Sequence, residues 1–341
     1  MKKCISLLLA MAMACTLLFG CAAAPAQSAG DAGNSAEAAA QETADSGLVP
    51  MKIAFCTWAG YAPLFIAKDQ GYFEEAGIDA EIVIIEDEST YGAAFVSNSI
   101  QALGQVLDRD IIQYNAGAPE QYVCTMDAST GGDGLVATEE IQSMDDLAGK
   151  TVALDKSATS YFFFLQALMD ASITEDEINI VEMGNDEAGE AFLAGNVDAA
   201  VTWEPALSNC SEREGGHKLV TSADYPKAII DVLTVNSNFA EEHPDIYEKL
   251  SECWYKSVDY LNENFEDGCR IMAEGLDLET EEVKEECEGI TFYDKAMNEE
   301  FNNTENSQNI IEIADLAADF WVEKGYMDSN DLTGFFPTLL P

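Results

Sequence analysis

Basic residues are scarce. The 341-residue chain has 16 Lys+Arg against 63 Asp+Glu, for a formal net charge of −47. Nucleic-acid binding needs Lys and Arg to replace phosphate counterions, so it is excluded as a partner class. Docking on anionic lipid through a basic patch is excluded on the same ground. Only 2 His are present, which leaves little for imidazole chemistry or a His-rich metal site. No CxxC pair occurs, so zinc-knuckle and thioredoxin-like readings fail. Nucleophile-elbow, P-loop and zincin motifs are missing as well. His217 and His243 fall outside the candidate cleft loops. The expectation is a protein with no catalytic residues, no cofactor and no metal.

What is present is 48% hydrophobic residues, enough to build a core, over a length that suits about two domains. Residues 1–20 begin with Lys2 and Lys3 and continue as an apolar run from Ile5 to Phe19. That pattern is a secretory signal, too short for a membrane span. Leu18-Phe19-Gly20-Cys21 resembles a bacterial lipobox, which implies cleavage before Cys21 and lipidation of its thiol. An ordinary cleavage near Ala24 is the alternative. Residues 21–48 read as an Ala-rich linker with no Lys, Arg or aromatic residue, unable to bury enough apolar surface to order itself. Six cysteines remain beyond Cys21; Cys56 and Cys124 sit in apolar, strand-like runs, and the pairing of the six is open.

The body alternates strand and helix patterns. Met51–Phe55, Asp79–Ile85 and Ile100–Val106 read as strands, with helices at Leu64–Phe73 and Tyr91–Asn98 between them. The pattern returns with strands at Thr151–Leu154, Ile178–Met183 and Val197–Thr202 and helices at Thr159–Met169 and Glu187–Leu193. At an offset of 97 residues, AFVSNSIQA (94–102) aligns without gaps on AFLAGNVDA (191–199). Two α/β lobes of related build are expected. From Ala240 to Gly325 the chain is helical, with apolar residues at helical spacing in Ile246–Asn264.

Four ordered segments carry a family resemblance: TWAGYAPLFIAKDQGYFEEAGIDAEIV (57–83), DLAGKTVALDKSATSYFFFLQAL (146–168), AFLAGNVDAAVTWEPAL (191–207) and IIDVLTVNSNFAEEHPD (229–245). Together they resemble the extracytoplasmic solute-binding proteins of the nitrate/sulfonate/taurine and thiamine-precursor type. The resemblance implies a two-lobed type II periplasmic-binding-protein fold with a hinge and an interlobe ligand cleft. It implies one lobe from residues 49–130 plus 236–341 and another from 131–235. It also implies partners: a small-molecule solute and the permease and ATPase of an ABC importer. The lipid anchor implies a place on the extracytoplasmic face of the cell membrane, and a monomer is expected. A ligand-sensing lipoprotein is the alternative.

In open α/β sheets, ligands bind outside the carboxyl ends of the strands. After the first strand come Trp58, Gly60 and Tyr61: two flat faces and a turn that lets a ligand approach the backbone. After Thr151–Leu154 come Ser157, Thr159 and Ser160 at a helix start, an anion seat or simply a cap. After Val197–Thr202 come Trp203 and Glu204, the carboxylate aimed at an amine or capping the next helix. Asp127, Ser129, Gly132 and Asp133 lie at the first crossing between lobes, and Asp231 at the return. This set suits a small zwitterion such as taurine or a related alkanesulfonate; an aminopyrimidine and nitrate are the alternatives.

Overall fold

The structure is a computed structural model that describes residues 47–156, 160–225 and 227–339. The expectations for the signal segment, Cys21 and nearly all of the linker therefore lie outside the described residues, as do those for Ser157 and Thr159.

Eleven strands are described: β1 (Val49–Phe55), β2 (Ile78–Ile84), β3 (Ala102–Val106), β4 (Glu120–Ser129), β5 (Asp133–Thr138), β6 (Thr151–Leu154), β7 (Asn179–Glu182), β8 (Ala199–Trp203), β9 (Gly216–Thr221), β10 (Ile230–Asn236) and β11 (Ile290–Phe292). They form two sheets, ordered β11-β4-β10-β3-β1-β2 and β7-β6-β8-β5-β9. The 97-residue offset appears here as topology. β2, β1 and β3 run parallel, with antiparallel β10 beside β3. In the same way β7, β6 and β8 run parallel, with antiparallel β5 beside β8. Each lobe thus repeats one βαβαβ unit closed by a returning strand.

Two sequence expectations need correction. The strand at 230–236, expected almost wholly in the second lobe, pairs with β3 and β4 and belongs to the first sheet. Its run IDVLTVN is buried throughout, which suits a central strand covered on both faces. The helix expected at Leu64–Phe73 is two helices, Pro63–Asp69 and Tyr72–Glu75. Gly71 breaks it at φ 74°, a left-handed backbone that glycine adopts without a Cβ penalty.

The helices at Ile246–Glu263 and Phe265–Leu276 pack their apolar faces on the first lobe. Trp254 is fully buried there, and its indole N–H donates to the Tyr293 carbonyl at 2.9 Å. The helix Ile310–Glu323 sits in a shared core with residues of both lobes; its Trp321 lies against Tyr161 and Phe162 and donates to Asp108 at 3.1 Å.

One packing detail positions the site. β10 meets β4 with a register shift: Asp231 opposes Asp127, but Val232 opposes Thr125. Met126 is the extra residue of a β-bulge, a device that re-aims side chains. Asn298, buried on the helix Lys295–Phe301, secures the bulge. Its side-chain oxygen accepts from Thr125 N–H and its amide donates to the Thr125 carbonyl, both at 2.9 Å. Asn298→Ala is expected to leave two buried backbone groups unpaired and to cost about 2–4 kcal/mol in urea unfolding. A loss below about 0.5 kcal/mol contradicts the assignment.

Candidate functional site

The carboxyl ends of the parallel strands meet at the crossings between the sheets. After β1 the chain turns through Trp58, Gly60 and Tyr61, all buried or nearly so. The indole of Trp58 is held between two glycines. A Cβ on Gly60 would fall inside contact distance of Trp58 Nε1 and Asp127 Oδ2, and one on Gly132 would lie 2.8 Å from Trp58 Cη2. Trp58 Nε1 donates to Asp127 Oδ1 at 3.4 Å, and Tyr61 Oη donates to Asp231 Oδ1 at 2.7 Å. The first crossing is fastened by Ser222, whose hydroxyl pairs with Ser129 at 2.7 Å and accepts from Gly131 N–H at 2.8 Å.

Two cavities result. An inner chamber of about 20 Å³ is walled by Trp58, Tyr61, Trp203, Glu88, Asp133 and Asp231. This is room for a group about the size of one water. An outer cavity of about 550 Å³ adjoins it at Thr57, Glu88 and Trp203. Of its sixteen described lining residues, nine are Asp or Glu and none is Lys, Arg or His.

Burial shapes the charges. Desolvation pushes Glu88 up to about 7 and Glu286 up to about 7; Asp133, whose partners Ser129 and Ser160 work against the rise, is pushed up to about 6. Asp127 and Asp231 are raised for the same first reason, and their mutual repulsion adds to the rise of Asp231.

Most of the expected site residues come together. Trp58, Tyr61, Trp203 and Asp231 line the inner chamber, and Asp127 lies behind Trp58. Gly60 supplies the close approach. Ser160 and Glu204 take other roles. Ser160 Oγ donates to Asp133 Oδ1 at 2.7 Å, so the helix start expected to seat an anion already faces a carboxylate of the chain itself. Glu204 lines the outer cavity, but its carboxylate bonds Lys218 at 2.7 Å and accepts from Ser208 N–H at 2.9 Å and Ser208 Oγ at 2.8 Å. Its carboxylate thus takes up a first-turn N–H of the helix Ala206–Glu212, and its charge is balanced within the protein.

The sequence reading missed Glu88, Glu286 and Asn185. Glu286 accepts from Ala59 N–H at 3.3 Å, and Asn185 is buried at the start of the helix Asn185–Leu193. Glu88 and Glu286 lie in acidic runs that look like solvated faces, so composition hides them.

A family model described as NMT1/THI5 like matches residues 58–267. The chain belongs to the NMT1/THI5-like family. A Bacillus subtilis (strain 168) protein named for aliphatic sulfonates binding is 25% identical over 230 residues, covering 65% of this chain and 69% of that protein. The taurine-binding periplasmic protein of Escherichia coli (strain K12) is 28% identical over 124 residues, 35% of this chain and 38% of that protein. The crystal structure of the Escherichia coli periplasmic aliphatic sulphonate binding protein SsuA superposes with a TM-score of 0.70 at 18% identity, covering 85% of this chain and 98% of that one. That likeness carries the fold: this NMT1/THI5-like chain has the two-lobed periplasmic-binding-protein architecture. These relatives are named as binding proteins.

Proposed function

We propose that the protein is the solute-binding component of an ABC importer, tethered outside the cell membrane through Cys21, and that it takes a small solute bearing a primary ammonium group. Residues 49–130 plus 236–341, with β10 added, act as one lobe and the rest of 131–235 as the other, and the solute lies between them. The observation that carries this reading is the pairing of an ammonium-sized chamber, walled by three aromatics and three carboxylic acids, with an outer cavity free of Lys, Arg and His among its described lining residues.

An ammonium entering the chamber gains carboxylate hydrogen bonds and the faces of Trp58, Tyr61 and Trp203. The body of the solute then occupies the outer cavity. Among the relatives' named ligands, taurine has such a head and a simple alkanesulfonate does not. A strongly bound anion ordinarily calls for Arg, and the anion seat expected at Ser160 faces Asp133. An amine-bearing solute is therefore favoured over nitrate or a plain sulfonate.

A thermal-shift panel of taurine and putrescine against 4-aminopyrimidine, ethanesulfonate and nitrate tests the reading. An amine ligand at 100 Kd is expected to add about 2.7 kcal/mol of stability. Stabilisation by 4-aminopyrimidine, ethanesulfonate or nitrate alone refutes it.

A further inference from the structure

Asp127 and Asp231 stand directly opposite each other on neighbouring strands β4 and β10. Both are buried, at 0% and 2% exposure. Like charges so placed repel, and burying two carboxylates without a cation is far costlier than neutralising one. Their carboxyl groups lie within hydrogen-bonding reach of each other. The donors around them satisfy only one oxygen each: Trp58 Nε1 reaches Asp127 Oδ1, and Tyr61 Oη reaches Asp231 Oδ1. Asp127 Oδ2 is buried with no N–H or O–H donor. A proton held between the two carboxyls supplies what that oxygen lacks.

We propose that Asp127 and Asp231 share one proton in the empty protein and that the ammonium group of the solute displaces it, so that the site exchanges a proton for a cation. The proposal rests on the amine-bearing solute inferred above. Asp231 lines the inner chamber, and Asp127 is one strand further in. An ammonium at Asp231 supplies the positive charge that the shared proton had supplied. The proton leaves to solvent, and the charge in the chamber is unchanged.

The titratable groups facing the pair do not supply a cation. They are Tyr61 and Cys56 from the segment after β1, Asp133 on β5, Asp110 on the helix Leu107–Asn115, and Tyr293 and Cys287 flanking β11. Arg109, the cation on that helix, lies beside Asp108 and donates to the Lys156 carbonyl at 3.1 Å. Tyr61, Cys56 and Cys287 are themselves raised, first by desolvation for Tyr61 and Cys56 and by the Cys269 thiol for Cys287, and so stay neutral at pH 7. Glu88 and Asp133 are the other acids of the chamber, and the exchange is assigned to Asp127 and Asp231 because they alone among these four stand opposite each other on paired strands; proton release that survives in both variants assigns it to Glu88 or Asp133 instead and overturns the proposal.

The sign follows from competition. At low pH the proton holds the pair and the cation binds weakly; affinity rises as pH rises, up to about tenfold per pH unit for one proton. Putrescine is the probe, since both its ammonium groups stay charged from pH 5 to 8.5. Calorimetry at pH 6 in two buffers of different ionisation heat is expected to count close to one proton released per putrescine bound. Asp127→Asn and Asp231→Asn each abolish the release and flatten the pH profile. Binding with no proton release, or release unchanged in both variants, overturns the exchange.

Infrared difference spectra of the empty protein separate the two claims. At pH 7 the wild-type-minus-variant difference, which cancels the bands of other buried acids such as Asp110 and Glu120, is expected to show a protonated-carboxyl carbonyl band for either variant. A missing band overturns the shared proton. A band present with no putrescine binding at any pH overturns the amine-bearing solute, and the exchange with it.

Discussion

Lowering the pH from 8 to 5 is expected to raise the midpoint of thermal unfolding of the empty protein by roughly 10 °C. The reason is an accumulation of buried acids whose folded-state affinity for protons exceeds that of the unfolded chain. Desolvation holds Glu88 and Glu286 at about 7 and Asp108 and Asp133 at about 6, and it raises Asp110, Glu120, Asp127 and Asp231 well above the ordinary carboxylate range.

For such a group the folded state holds a proton that the unfolded state releases above about pH 4. Its contribution to stability is complete below that point and is lost as pH climbs toward the folded value. The window is therefore about pH 4 to 7. Each unit of displacement corresponds to about 1.4 kcal/mol at most, and relaxation and mutual coupling reduce the sum, so about 3–5 kcal/mol in all is expected. The net charge of −47 works in the same direction, because protonation relieves self-repulsion. Asp127→Asn removes one titrating site without changing shape, and its unfolding midpoint should fall less between pH 5 and 8 than the wild type's. A wild-type midpoint that is flat or rises across this window contradicts the picture of neutral buried carboxyls.

Gly60→Ala is the second large effect: binding of any solute is expected to weaken by more than a hundredfold, with a stability loss of about 1–3 kcal/mol. A single methyl at this position meets the indole N–H edge of Trp58 and the Asp127 carboxyl, whose Cγ lies 2.6 Å from the added atom. Neither neighbour has somewhere to go. Trp58 is 7% exposed and is backed on its far edge by Gly132; Asp127 is 0% exposed and stands against Asp231. The clash therefore either rotates the indole into the inner chamber or separates the two carboxyls, and both outcomes destroy the ammonium-sized space. Ligand titration and urea unfolding of the variant measure the two losses separately. Binding within threefold of wild type means that Trp58 and Asp127 do not form the wall of the site.

The repeat carried the fold. AFVSNSIQA and AFLAGNVDA aligned at 97 residues because both lobes need the same helix, turn and central strand, and β3 and β8 occupy equivalent places in their sheets. What the repeat does not encode is the return of the chain. β10 completes the first sheet, although it follows the second lobe in sequence, and its pairing depends on long-range register rather than local pattern.

The site was legible where residues are chemically distinctive. Trp58, Tyr61 and Trp203 are aromatic residues, of types scarce in this chain, at the ends of strands, and the structure brings them together around Gly60. The acids were harder to read. In a chain this acidic a carboxylate is ordinarily solvated, so Glu204 drew attention through its place beside Trp203, and its charge turned out to be met by Lys218. The better signal was an aspartate inside an apolar strand run, as in YVCTMDAS and IIDVLTV. Asp is rarely buried without a partner, so its presence in such a run marks a position kept for a proton or a ligand. Asn185, Glu88 and Glu286 gave no comparable signal; their burial depends on how segments distant in sequence close over them.

Native mass spectrometry of the protein equilibrated at pH 7.5 with an equimolar mixture of taurine, ethanesulfonate, putrescine and nitrate tests the central claim most directly. Taurine and ethanesulfonate differ only in the ammonium group, so their competition isolates it. The retained mass is expected to be that of an amine-bearing solute, and its retained fraction is expected to fall in Asp231→Asn. Retention of ethanesulfonate or nitrate in place of the amines contradicts the claim.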